Sequence, residues 1–163
     1  MALASHYPVV VVGTGPTGLT LAHLLARQGV ATLLIDRAEA VVNEARAVTI
    51  DDESLRTLQN AGVLEGILPD IVQGYGVHYY SWRCTVFARI EPKSLEYGYP
   101  KRNAFRQQRL VHAMAQALPA LVTLRFRHEL LGFEQTGDRV RVTLATPEGE
   151  RSVDTDWLVG CDG

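Results

Sequence analysis

The apolar pattern changes period twice within the first thirty-six positions. Val9-Val10-Val11-Val12 is an unbroken β-branched run that stops at a glycine, the pattern of a strand covered on both faces. From Pro16 to Arg27 the apolar positions Leu19, Ala22, Leu25 and Ala26 recur at helical spacing. Pro16 suits the first turn, where a missing N–H costs nothing, and Gly29 suits the end of such a helix. Ala31 to Ile35 is a second apolar strand, closed by Asp36. Strand, helix and strand within about thirty residues form one βαβ unit.

The pattern then loosens. Arg37 to about Ile50 reads as a loop, and Asp51 or Asp52 caps a helix running to about Asn60, with Leu55 and Leu58 facing inward and Gly62 closing it. Residues 77–90 predict two extended segments, and Gln107 to Leu118 a helix stopped by Pro119. Val122 to Phe126 reads as a third parallel strand. Glu129–Gln135 and Arg139–Ala145 alternate apolar and polar residues around Thr136-Gly137-Asp138, which is a hairpin. After a second turn at Pro147-Glu148-Gly149 come a short strand, Arg151–Asp154, and a separate buried strand, Trp157–Gly160, leading into Cys161-Asp162-Gly163. There is no internal repeat and no low-complexity linker.

The candidate chemistry lies where the first strand meets the first helix. Gly13-Thr14-Gly15-Pro16-Thr17-Gly18 is a GxGxxG, a weak signal alone. Here it follows a strand, opens a helix and has an acid, Asp36, eighteen residues beyond Gly18, at the end of the next strand. Gly13 permits the tight turn, Gly15 lets the backbone approach a pyrophosphate, and Gly18 allows close helix–strand packing. The N-terminus of the helix, opening at Pro16 and Thr17, offers its free N–H groups and positive dipole end to the phosphates. Asp36 can accept both ribose hydroxyls of an adenosine, with Arg37 beside it. The expected fold class is therefore α/β, a Rossmann-like dinucleotide fold. A simple NAD domain would repeat strand–helix–strand to its end. This chain inserts a three-stranded antiparallel β-meander, about residues 129–154, before its last parallel strand, the crossover of FAD-binding folds of the glutathione-reductase type.

The same residues resemble a family. Val10 to Leu19 is similar to the start of single-component FAD-dependent aromatic hydroxylases, the group A flavoprotein monooxygenases. Arg46-Ala47 lies where that family has an arginine near the cofactor phosphates. Phe105-Arg106-Gln107-Gln108-Arg109-Leu110 resembles its F-x-Q-P-x-L segment, with Gln107 on the glutamine that contacts FAD and Gln108 in place of the proline. Gly160-Cys161-Asp162-Gly163 resembles the opening of its Asp-Gly motif, which places Asp162 by the flavin. Ile50–Gln59 and Pro100–Phe105 are similar to 3-(3-hydroxyphenyl)propionate hydroxylases.

The resemblance implies FAD as the held cofactor, NADH or NADPH as transient electron donor, O2 as co-substrate, and ortho-hydroxylation of a phenolic aromatic acid to a catechol. The implied cofactor contacts are Gly13, Gly15, Pro16, Thr17, Gly18, Asp36, Arg37, Arg46, Gln107 and Asp162; no catalytic side chain is implied. Residues 1–163 are expected to be the N-terminal FAD-binding domain, incomplete at its C-terminus, with about 75–105 on the substrate-domain side. The family's later Gly-Asp motif and the rest of its substrate domain do not appear, so this stretch alone is expected not to hydroxylate. Another FAD- or NAD(P)-dependent oxidoreductase and a non-catalytic nucleotide-binding module remain as alternative readings.

Composition narrows the picture further. Of 163 residues, 47% are hydrophobic and 21% charged, ordinary values for a globular domain. A net charge of −2 without a basic run argues against nucleic acid and a membrane surface as partners. The N-terminal eight residues lack a secretion-signal pattern, and no apolar stretch near them approaches a bilayer span, so the expected location is cytoplasmic. Homo-oligomerisation is left open. Cys84 and Cys161 give no metal-ligand spacing and are expected to be reduced thiols. Asp51-Asp52-Glu53 reads as helix capping rather than a metal site. His78, Tyr79, Tyr80 and Trp82 form a polar–aromatic cluster, either ordinary strand aromatics or the lining of a ring-binding pocket. Arg125 and Arg127 are expected to be solvated, and His112 to be a surface or packing residue.

Overall fold

The structure is a computed structural model that describes residues 3–41, 44 and 46–163. Part of the expected loop from Arg37 to Ile50, namely Val42, Asn43 and Ala45, lies outside the described residues, as do Met1 and Ala2. In chain order the elements are β1 (His6–Val12), α1 (Pro16–Arg27), β2 (Thr32–Ile35), β3 (Thr49–Ile50), α2 (Asp52–Asn60), α3 (Leu64–Ile67), a 3-10 turn (Leu68–Asp70), β4 (Val72–Gln73), β5 (Val77–Tyr80), β6 (Val86–Ile90), β7 (Asn103–Ala104), α4 (Gln107–Gln116), β8 (Val122–Arg125), β9 (Glu129–Thr136), β10 (Arg139–Thr146) and β11 (Gly149–Gly160). They fall into two compact units, one of residues 1–43 with 111–163, the other of residues 44–110.

The first unit is built on a six-stranded sheet in the order β8-β2-β1-β11-β10-β9. The β-branched run of β1 sits near its centre, pairing in parallel with β2 on one side and β11 on the other. β8 extends the parallel half beyond β2, as its apolar pattern predicts. One set of sheet side chains, Val10, Leu33, Ile35, Val142, Leu144 and Val153 among them, gathers with Tyr7 into a buried core. α1 buries Leu19, Ala22, His23 and Ala26, and the buried His23 imidazole meets the Met114 carbonyl of α4 at 2.9 Å. Gly29, at φ +76°, ends α1 in a conformation that glycine adopts without strain.

Two expectations about the end of the chain are corrected here. The short strand Arg151–Asp154 and the buried strand Trp157–Gly160 are one continuous strand, β11, twelve residues long. Its first half pairs antiparallel with β10 and its second half runs parallel to β1. No glycine or proline interrupts Arg151–Val159, and the fully buried Thr155 donates its hydroxyl to the Trp157 carbonyl within the strand, so the chain runs on without a break. Trp157 is not buried but 71% exposed. The meander is present, and its third strand is also the last parallel strand. α4 ends at Gln116, short of the expected Leu118.

The second unit is held by smaller elements. Asp51 accepts the Ser54 N–H at 2.8 Å as the cap of α2, which buries Leu55 and Leu58. β3, β7 and β4 form a three-stranded sheet around Asn103. That buried amide donates to the Ile50 and Pro100 carbonyls and accepts from the Gly74 N–H, so three segments share one side chain. β5 and β6 make a separate hairpin with a register shift at Tyr79/Tyr80. No helix among the described residues is long and apolar enough to cross a membrane.

Candidate functional site

The glycine turn closes between three chain segments. Gly13 donates to the Ile35 carbonyl at 2.8 Å, and Cys161 donates to the Val12 carbonyl at 2.7 Å. With φ at +107°, Gly13 is in a conformation that side-chain-bearing residues avoid, and a β-carbon on it would lie 2.6 Å from the Cys161 carbonyl oxygen. A β-carbon on Gly18 would lie 2.0 Å from the Gly13 carbonyl oxygen. These two glycines are therefore required by packing, the first for the turn and the second for seating the helix against it. Gly15 differs: a β-carbon there would meet nothing within 4 Å. The chain leaves space at that point, and it lies at the start of α1.

Gly15 caps α1 without a side chain, Pro16 follows at the first turn, and no acid lies in that turn. The helix thus presents its first N–H groups and positive dipole end with no negative partner of its own. A cradle open at Gly15, aimed by a helix N-terminus, fits a pyrophosphate.

Asp36 follows β2, and its backbone is fixed on both sides. Its N–H donates to the Arg125 carbonyl and its own carbonyl accepts the His128 N–H. Its carboxylate accepts three more donors: the Thr14 N–H and Thr14 hydroxyl, both on Oδ2 at 2.8 and 2.7 Å, and the Ala38 N–H on Oδ1 at 2.9 Å. Partial burial raises the Asp36 pKa, but the donors from Ala38 and Thr14, with the Arg37 charge, outweigh it and hold the pKa below the ordinary carboxylate value. Asp36 is an anion with one oxygen already engaged twice. Arg37 and Thr17 are exposed beside these residues in the chain, and Asp162 is exposed next to Cys161. Burial, then the Asp162 charge, pushes the Cys161 thiol pKa up.

In the second unit, Gln107 Oε1 accepts the N–H groups of Arg46 and Ala47 at 3.0 and 2.8 Å. The structure thus joins two residues that the resemblance implicates, sixty-one positions apart, at the first residue of α4. The Arg46 guanidinium lies 3.6 Å from Glu44 and is exposed. Of the polar–aromatic cluster, His78 and Tyr80 line a hollow with Gly74, Gly76, Glu91 and Lys93, and His78 Nε2 lies 3.3 Å from Glu91. Tyr79 instead packs against Phe87, and Trp82 is 86% exposed. Among the described residues no three His, Cys, Asp or Glu side chains group as metal ligands would. The contact of the Thr14 side chain with Asp36 is one the motif did not reveal. Thr14 occupies an x position of GxGxxG, where no residue type is demanded, and only the fold shows it 1% exposed against Asp36.

A family model described as FAD binding domain matches residues 6–163. The chain is 37% identical over 158 residues to a 3-(3-hydroxy-phenyl)propionate/3-hydroxycinnamic acid hydroxylase of Escherichia coli, a match covering 95% of this chain and 28% of that protein. Among solved structures, it superposes with a TM-score of 0.89 and 25% identity on p-nitrophenol 4-monooxygenase of Pseudomonas putida, covering 99% of this chain and 42% of that one. It superposes with a TM-score of 0.84 and 26% identity on aklavinone-11 hydroxylase, solved with FAD and aklavinone, covering 99% of this chain and 34% of that one. The chain therefore spans well under half the length of these relatives.

Proposed function

The chain belongs to the FAD-binding domain family, and from that premise we propose that it holds the ADP half of FAD at the start of α1 and serves a flavin-dependent aromatic hydroxylase. The observation that carries the nucleotide reading is the pairing of open space at Gly15 with the fixed Asp36 anion at the end of β2. The N–H groups at the start of α1 bind the pyrophosphate, and Pro16 at that turn adds no competing donor. Asp36 orients the adenosine ribose, with Arg37 beside it. Arg46, Gln107 and Asp162 are proposed as further FAD contacts, on the strength of the resemblance. Residues of about 75–105 are proposed to face the substrate.

Bound FAD supplies the redox and oxygen chemistry, with NADH or NADPH as donor. The substrate proposed for a protein of the relatives' length that carries this domain is a phenolic aromatic acid such as 3-(3-hydroxyphenyl)propionate. What supports this is the named activity of the relatives and the similarity of Ile50–Gln59 and Pro100–Phe105. The chain's own residues bind and orient; none of them is assigned a proton-transfer step.

Flavin fluorescence titration tests the first part. Saturable one-to-one FAD binding to the purified chain is expected, and a chain that leaves FAD fluorescence unchanged would refute it. For the second part, NADH or NADPH consumption by a relative-length protein carrying this domain should rise with 3-(3-hydroxyphenyl)propionate and yield a catechol. Consumption indifferent to every phenol would refute the hydroxylase reading.

A further inference from the structure

We propose that Thr14 is a positioning residue that saturates one oxygen of Asp36, so that this carboxylate accepts one ribose hydroxyl of the bound nucleotide rather than two. The proposal rests on the nucleotide reading above and differs from the expectation that Asp36 takes both hydroxyls. A carboxylate offers about two acceptor positions on each oxygen. On Oδ2 both are filled, by the Thr14 N–H at 2.8 Å and the Thr14 hydroxyl at 2.7 Å. On Oδ1 the one donor among the described residues is the Ala38 N–H, at 2.9 Å, which leaves a second acceptor position for a ligand.

The arrangement cannot relax by rotation. The Asp36 backbone is bonded through both its N–H and its carbonyl, to Arg125 and His128. Thr14 is itself 1% exposed, on a loop wedged between Ile35 and Cys161. The threonine hydroxyl would lose a partner if the carboxylate turned away, which is costly for a buried donor. Thr14 thus ties the phosphate loop to the ribose acid, so that pyrophosphate and ribose are met by one rigid piece.

The charged and titratable groups around Asp36 are few. Its own segment carries Arg37 and Glu39; the β8 end carries Arg125, Arg127 and His128; on the Thr14 side Cys161 and Asp162 lie against Gly13. Arg127 is paired with Glu39 at 2.9 Å, the Arg125 guanidinium donates to the Leu124 carbonyl, and the His128 ring contacts the Phe126 carbonyl. Among the described residues, the hydrogen-bond donors on the Asp36 carboxylate are those of Thr14 and Ala38.

Calorimetric titration with ADP, 2′-deoxy-ADP and 3′-deoxy-ADP tests this. One deoxy analogue should bind about tenfold more weakly than ADP and the other within about twofold, since one hydroxyl alone is held by the charged acceptor. In Thr14→Ala, where Oδ2 regains a free position, both analogues should weaken. The acid limb of the ADP binding profile should also move to higher pH in that variant, because the carboxylate has lost a donor. Thr14→Ser should restore the wild-type pattern on both counts. Equal losses for the two analogues in the wild type would overturn the proposal, as would no loss for either. So would a Thr14→Ala variant whose analogue pattern and acid limb match the wild type, which would reduce Thr14 to packing. A chain that binds no ADP at all would instead overturn the nucleotide reading and the proposal with it.

Discussion

Gly18 is seated on Gly13 so closely that a β-carbon on the one would stand 2.0 Å from the carbonyl oxygen of the other, while Gly15 between them faces open space. Three glycines of one motif therefore answer to different demands, and substitution separates them. Gly15→Val should leave the fold intact and abolish FAD binding, because its side chain fills the space proposed for the pyrophosphate. Gly18→Ala should instead destabilise, since backbone must shift to admit the methyl, by about 1–3 kcal/mol. Thermal melts and flavin titration on the two variants check this. Gly15→Val protein that retains stoichiometric flavin would remove the loop from the phosphate site.

Asp36→Ala removes the proposed ribose acceptor and the Asp36 partner of the Thr14 hydroxyl. FAD binding should weaken by about 1.5–3 kcal/mol, roughly ten- to a hundredfold in Kd. An unchanged dissociation constant would take Asp36 out of the site.

Asp51 gives a pH signature independent of any ligand. Its bonds from the Ser54 hydroxyl and N–H hold its pKa below the ordinary carboxylate value. The group therefore stabilises the fold above its unfolded pKa, and that contribution is lost as pH falls through the lower folded value, below about pH 4. Asp51→Ala should cost about 1 kcal/mol at neutral pH. Asp51→Asn should keep the cap and flatten the acid dependence. Denaturant unfolding of the wild type and both variants across the acid range up to neutrality measures it. Identical acid slopes for the wild type and Asp51→Asn would show that the cap carries no charge effect.

Gln107 carries the connection to the chain at Arg46 and Ala47 through one oxygen. Gln107→Leu should free these two N–H groups and speed tryptic cleavage after Arg46 by up to about thirtyfold, the effect on local opening of two lost hydrogen bonds of about 1 kcal/mol each. Gln107→Glu keeps the acceptor and should cleave at the wild-type rate. Equal cleavage in Gln107→Leu would show that the staple does not restrain this segment.

Most of the first unit was legible in the sequence because local rules agree there. The run of valines, Pro16, the helical spacing of Leu19 and Ala22, and the acid after β2 all point to one βαβ arrangement, and the helix bounds Pro16–Arg27 follow from proline, glycine and periodicity alone. The hairpin around Gly137, at φ +62°, was equally local. What was not legible depended on long-range pairing. Nothing in Arg151–Gly160 announces that one strand changes partner midway, because pairing direction is a property of the neighbours β10 and β1. The Thr14–Asp36 contact spans twenty-two residues, and Asn103 stitches segments brought together only by folding. The exposure of Trp157 escaped for a related reason: apolar type suggests burial, but only the packed sheet shows which side is covered.

The continuity of β11 has a mechanical consequence. No loop stands between the hairpin turn at Gly149 and the segment where Cys161 bonds Val12 beside Gly13. An insertion or deletion within those twelve residues has nowhere to be absorbed. Each added residue would displace Asp162 by about 3.3 Å along the strand or reverse the faces of every side chain after it. Length changes should be tolerated at the tips, Gly137-Asp138 and Pro147-Glu148, and refused in between. This interior strand thus acts as a ruler whose far end is the glycine loop.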